Sequence, residues 1–231
     1  DWTVREAIAT GVASNNRVAQ ASAYGAMGDV HLDQGNAELA VYYHEKSVAM
    51  FRELGNSIMV SVKLNNLAIS YDLMGRKERA LEVYRENLAL MERLAYTRGI
   101  VISKMNIAGV LIDLGRDDEA AQLLGELLPM FEHVDDPDSR SNVLRHLAGI
   151  AERRGDLSLA LKHALDAAAA RSDDIKDFYL SRALAGRLYR KLGRFAEARA
   201  ALTAALDAIE LTHEQASGEE LHFFHERRDA Y

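Results

Sequence analysis

The chain has no cysteine, which excludes disulfides, thiolate zinc sites and a cysteine nucleophile within these residues and fits a reducing compartment. It has two prolines, Pro129 and Pro137, and lacks the alternating pattern and turn clusters of a regular sheet. No apolar run approaches the roughly 18 to 20 residues of a membrane span. The start, Asp1-Trp2-Thr3, has neither the basic nor the apolar region of a secretory leader. A basic excess is missing too: 28 Lys+Arg against 35 Asp+Glu leave a net charge of −7, which argues against a generally basic surface for nucleic acid or membrane. What is present is ordinary globular material, 48% hydrophobic and 27% charged over 231 residues, enough for a core. These features point to a soluble cytoplasmic protein.

The chain repeats itself. Glycines close similar phrases at Gly35, Gly75, Gly115, Gly155 and Gly193, at spacings of 40, 40, 40 and 38. Seven residues before each stands a small residue (Gly28, Ala68, Ala108, Ala148, Gly186), and five after each stands Ala40, Ala80, Ala120, Ala160 or Ala198. Two helices approach closely only where neither carries a large side chain at the crossing, so the paired recurrence predicts a helical hairpin. The glycine between supplies the left-handed conformation that ends the first helix, and Asn36, Asp117 and Asp156 are placed to cap the second.

Leu64, Leu67-Ala68, Tyr71, Ala80 and Tyr84 carry a pattern of large, large-small, aromatic, alanine and large residues that resembles the tetratricopeptide repeat (TPR) family. Tyr24, Met27-Gly28 and Ala40 fit it, as do Leu144, Leu147-Ala148 and Ala160, and Gly186, Tyr189, Ala198 and Ala205; Lys104 and Arg182 depart from it. The 40-residue period exceeds the usual ~34 and leaves room for longer helices. The resemblance implies an all-α, TPR-like α-solenoid, a right-handed superhelix of antiparallel hairpins, with about five repeats and partial helices at both ends. A 40-residue shift places Arg5-Glu6-Ala7-Ile8 over Glu45-Lys46-Ser47-Val48. The organisation expected is therefore residues 1–13 as the second helix of a preceding repeat, 14–216 as five hairpins, and 217–231 as a linker or capping helix toward a further region.

Reactive chemistry is hard to find. No Gly-x-Ser-x-Gly, His-Glu-x-x-His or phosphate-loop pattern occurs, so the expectation is no catalytic residue, no metal and no cofactor. Of eight histidines only His222 and His225 fall three apart on one helical face, and two ligands are too few for a metal site. The pairs Asp135-Asp136, Asp173-Asp174 and Glu219-Glu220 sit at expected helix starts, where carboxylates favour the positive end of the dipole. Tyr42, Tyr43, Tyr71, Tyr84 and Tyr189 fall at helix-packing positions and are read as core rather than as a stacking platform for bases. Pro129 should bend or end the second helix of the third hairpin.

The family's concave groove is lined by the first helix of each hairpin, and register assigns its residues here. The first two hairpins would offer Asp29, Asp33, Asn65, Asn66 and Asp72; the third, Asn106 and Asp113; the later ones, Asn142, Arg145, His146, Arg153, Arg187, Arg190 and Lys191. That surface would change from acidic to basic, and an extended peptide of matching polarity would be oriented by it. Asn66 and Asn106, equivalent and 40 apart, offer both donor and acceptor to a peptide backbone. The alternatives are bonds to neighbouring helices, or a solvated face.

The function this implies is a non-enzymatic module that binds a protein or peptide, with no role at membranes or on nucleic acid. Ile209-Glu210, Glu219-Glu220-Leu221, Phe223-Phe224 and Tyr231 resemble the junction by which bacterial TPR arrays lead into a CHAT domain, a caspase-like module. That resemblance makes the array the sensor or regulatory arm of a larger bacterial protein, with an intramolecular C-terminal domain as one partner. Sensor regions of bacterial signal-transduction regulators and peptide receptors of quorum sensing are similar arrays and give a second reading. A stand-alone scaffold working through its convex face is the third.

Overall fold

In the computed structural model, which describes residues 16–132, 135–170 and 175–210, most helices end on a variation of one three-residue turn. The helices are α1 Arg17–Asp33, α2 Ala37–Glu53, α3 Ser57–Leu73, α4 Lys77–Arg93, α5 Thr97–Asp113, α6 Asp117–Leu127, α7 Pro137–Arg153, α8 Leu157–Ala169, α9 Ile175–Lys191 and α10, residues 195–210. No strand occurs among the described residues. Seven of the helices, α1 to α5, α7 and α9, are 17 residues long. In the turns, the amide three residues past the helix end reaches back to the last turn: Asn36 N donates to His31 O at 2.8 Å and Arg76 N to Tyr71 O at 2.9 Å. These bonds satisfy carbonyls that the helix leaves open.

The 40-residue period is thus two 20-residue units of helix plus turn. The turns between hairpins match those within them: Gly55 takes φ 68° and Ala95 φ 51°, and Tyr96 N donates to Met91 O at 3.0 Å as Asn56 N does to Phe51 O. Among the described residues Ala95 is the one non-glycine in the left-handed region, a conformation that costs an L-residue about 1–2 kcal/mol.

The crossing residues are buried as the spacing requires: Ala40, Ala68, Ala80, Ala108, Ala120, Ala148 and Ala160 are fully enclosed. Caps differ in part from expectation. Asp156 accepts from Leu159 N, but Asn36 makes no side-chain cap bond and Asp117 is the first residue of α6. The working caps also include Asn16, Asn56 and Asp136, which accept from Ala19 N, Met59 N and Ser139 N. Proline disfavours helical geometry at the residue before it and lacks a donor of its own. Accordingly α6 stops at Leu127 after 11 residues and a 3-10 turn spans Leu128–Glu132.

The chain forms two compact units, divided after Leu123. In the first, α1 to α5 each pack on the next in sequence; in the second, α7, α8 and α9 pack on one another. The second core gathers Ala148, Ala151, Ala160, Leu161, Ala164, Ala185 and Leu188. Residues 1–13 and 217–231, expected to hold a preceding helix and a linker, lie outside the described residues.

Candidate functional site

Polar side chains on the first helices of the hairpins find one another. In the first unit Asn66 Nδ2 donates to Asp29 Oδ1 at 2.7 Å, and Asn106 Nδ2 donates to Asn65 Oδ1 at 2.7 Å. The asparagines expected to meet a peptide therefore also tie α1 to α3 and α3 to α5. Lys77, at the start of α4, bonds Asp72 at 2.9 Å and Asp113 at 2.6 Å. Hydrogen bonds to Asp113 and then to Asp72 hold its ammonium above the usual range.

In the second unit Arg145 Nη1 donates to Asp177 at 2.5 Å. Glu152 takes Arg187 at 2.7 Å and Lys191 at 2.8 Å. Burial is the largest single influence on Glu152 and pushes its carboxyl up, but Lys191 and Arg187 together outweigh it and leave it below the usual range. Arg190 is exposed and Asn142 half-buried; His146 and Arg153 each have a partner.

The expected change from acidic to basic is therefore partly offset within each unit. Lys63 lies 3.4 Å from Asp29, and Lys77 compensates one of the two acidic charges at Asp72 and Asp113. Glu152 and Asp177 compensate two of three basic groups. Register identified one partner of each pair and missed its counter-ion, because Lys63, Lys77, Glu152 and Asp177 fall outside the positions that the family's groove assigns.

The geometry also supplies a cleft. Between α3 and α5 lies a space of about 320 Å³ lined by Ile58, Ser61, Val62, Asn65 and Asn66 of α3, Asn87 and Met91 of α4, Tyr96, and Gly99, Ile102 and Ser103 of α5. Its apolar rim faces water, with Ile58, Val62, Tyr96 and Ile102 exposed by 55, 45, 48 and 43%. Its deep side is polar and buried: Asn87 Oδ1 and Ser103 Oγ have no hydrogen-bond partner. Gly99 lets Met91 approach, since a Cβ there would stand 2.3 Å from Met91 Sδ. The sequence reading found Asn65, Asn66 and Asn106 beside this cleft but not Asn87, which lies on the second helix of its hairpin.

Tyr71 and Tyr84 are core residues, each 5% exposed, and burial with the charge of Asp72 pushes the Tyr84 phenol up to about 12. Tyr189 packs on the second core. Tyr42 and Tyr43 differ from the core reading: they form an aromatic cluster with Tyr24 and His31, and Lys46 lies 4.4 Å from the Tyr42 ring centroid. His222 and His225 lie outside the described residues, among which no group of three metal-ligating side chains occurs. No helix of the described residues is long and apolar enough to cross a membrane.

Stacked helix pairs with small residues at each crossing define a TPR-like α-solenoid. Models of the tetratricopeptide repeat match residues 19–93 and 181–210, so the sequence carries the repeats in both units. No curated protein matches the sequence. Among solved structures the fold is similar to BtubC (BKLC) from P. vanneervenii, 18% identical, TM-score 0.78, over 91% of this chain and 90% of that one. It is also similar to the apo quorum sensor NprR from B. thuringiensis, 19% identical, TM-score 0.72, over 84% of this chain and 55% of NprR. NprR in complex with its cognate peptide NprX gives 18% identity and a TM-score of 0.63 over 84% and 56%. At these identities the likeness is one of fold.

Proposed function

We propose that this chain is a non-enzymatic module that binds an extended peptide or a partner protein on the face built by α3 and α5. The observation that carries the reading is the cleft itself: four large apolar side chains exposed around it, with the amides of Asn65, Asn66 and Asn106 alongside. Exposed apolar groups gathered at one place mark an interaction surface, whereas scattered ones do not. Asn65, Asn66, Asp72, Asn106 and Asp113 are the residues we assign to this face, with Asn142, Arg145, His146, Arg153, Arg187, Arg190 and Lys191 as the corresponding set in the second unit. The solved NprR–NprX complex supports a peptide as the ligand.

Panning the whole chain against displayed random peptides tests the proposal. Recovered peptides should perturb α3 and α5 in amide spectra, and Asn66→Ala with Asn106→Ala should weaken them roughly tenfold in calorimetry, the equivalent of about one or two hydrogen bonds. Failure to recover any peptide, or binding that leaves α3 and α5 undisturbed, would sink it.

We divide the chain as 1–13, 14–216 and 217–231, and place it in a larger cytoplasmic bacterial protein as its sensor or regulatory arm. The phrase from Ile209 to Tyr231 and its similarity to a TPR-to-CHAT junction support that placement; the caspase-like domain would be the intramolecular partner. Likeness to the quorum sensor NprR favours a second reading, the ligand-sensing region of a transcriptional or signal-transduction regulator. The gene sequence past Tyr231 separates them: an α/β segment with a His followed by a Cys supports the first, a DNA-binding helix-turn-helix the second.

A further inference from the structure

Equivalent positions in successive repeats explain why one junction is filled and the next is open. Where α1 meets α3, Lys63 is only 8% exposed. Its stem lies across Gly25, where an added Cβ would stand 2.5 Å from Lys63 Cε, and its ammonium is held 3.4 Å from Asp29. Forty residues on, where α3 meets α5, the Lys63 position is Ser103 and the Gly25 position is Asn65. Asn65 accepts from Asn106. The long stem that fills the first junction has no counterpart in the second, and the cleft of about 320 Å³ stands there.

The same comparison isolates its polar atoms. Ser47, the equivalent of Asn87, donates to Ala21 O at 2.7 Å, whereas Asn87 Oδ1 accepts from no group and Ser103 Oγ has no partner, although the two residues are 4% and 1% exposed. Buried polar atoms are normally paired, and an unpaired one carries a desolvation cost that a suitable ligand removes. Asn87 Oδ1 is an acceptor and asks for a donor; Ser103 Oγ serves either way. No charged side chain lines the cleft, so a charged group entering it would lose hydration without compensation. Its size sits at the low end of ligand pockets, which suits one side chain rather than a whole cofactor. Met91, with its polarizable sulfur, favours an aromatic ring.

We infer that this cleft receives one aromatic side chain bearing a hydrogen-bond donor, the indole of tryptophan or the phenol of tyrosine, from the partner's extended chain. The inference rests on the reading of α3 and α5 as a peptide-binding face. The probe is N-acetyltryptophanamide, titrated into the whole isotope-labelled chain beside its 1-methylindole analogue. Saturable shifts are expected at Gly99, Ser103 and the Asn87 side-chain amide, with the methylated analogue about tenfold weaker for want of its donor. Ser103→Lys combined with Asn65→Gly, which installs both the residue that fills the preceding junction and the glycine that admits its stem, should abolish them. Val62→Ser with Ile102→Ser, on the exposed rim, should weaken them severalfold while the far-UV circular dichroism stays that of the native chain. Equal affinity for both probes, an absence of saturable shifts at these residues, or shifts that survive either variant would overturn the inference. Displayed peptides that bind α3 and α5 yet contain neither tryptophan nor tyrosine would overturn it alone, and recovery of no peptide would overturn the binding reading beneath it.

Discussion

Acidification from pH 7 to pH 5 is expected to destabilise the unit that contains α1 to α5 through one side chain, His44. The imidazole is fully buried, neither ring nitrogen has a hydrogen-bond partner, and it rests against Gly28, where a Cβ would stand 2.4 Å from Cε1. Burial pushes it down from 6.5 to about 4; Asp29, 3.7 Å from Nε2, pulls the other way, and Lys63 adds to the fall. The folded state therefore holds His44 neutral while the unfolded chain takes up a proton below pH 6.5, so the contribution is complete above that value and is lost as pH falls toward 4. With 1.36 kcal/mol per unit, the whole shift amounts to about 3 kcal/mol, of which about 2 kcal/mol is lost between pH 7 and pH 5. Urea unfolding followed by far-UV circular dichroism at pH 7, 6 and 5 measures it, with His44→Leu as control, since Leu124 and Leu202 hold the same register. The native chain should lose about 2 kcal/mol more than the variant over that range. Parallel pH dependence in the two proteins, or an imidazole that titrates near 6.5 by NMR, would refute the reasoning.

Two further substitutions test the packing. Gly28→Ala meets the enclosed His44 ring at 2.4 Å and should cost about 1–3 kcal/mol as overpacking. Gly186→Ala meets Leu202 Cγ at 2.7 Å and the backbone oxygen of Ala198 at 3.3 Å; Leu202 is 40% exposed and can turn away, and the gain in helix propensity, about 1 kcal/mol, offsets the small backbone shift, so this variant should cost less than Gly28→Ala; thermal melts that rank the two the other way would contradict this account. Ala95→Gly should raise the melting temperature, because relief of the left-handed strain at φ 51° exceeds the added freedom of the unfolded chain by about 0.5–1 kcal/mol. A lower melting temperature would show that Ala95 is not strained.

The hairpins were legible because their causes are local and recurrent. A small residue before each glycine and an alanine after it are needed wherever two helices cross, so their spacing exposes both the helices and their pairing. Pro129 was legible for the same reason, as a covalent fact that any helix must obey. The turns between hairpins were less so: Ala95 does at its turn what Gly55 does, and no pattern built on glycine alone finds it. Caps were legible in part: Asp156 caps its helix as expected, whereas Asn36 and Asn56 look alike in sequence yet only Asn56 accepts an amide hydrogen.

The candidate site was half legible, and the missing half has a common cause. A repeat signature reports the positions that every repeat must share, and those positions build the scaffold. A binding site arises where equivalent positions differ, as at Lys63 and Ser103 or at Ser47 and Asn87, because only an exception can make one junction unlike the next. Asn66 and Asn106 stood out by being the same in two repeats, and in the structure they join neighbouring helices. Ser103 and Asn87 belong to no signature, and Ser103 Oγ and Asn87 Oδ1 are buried beside the cleft without a partner. In an array of this kind, alignment of the repeats against one another locates the scaffold where they agree, and the differences at enclosed positions locate the cleft.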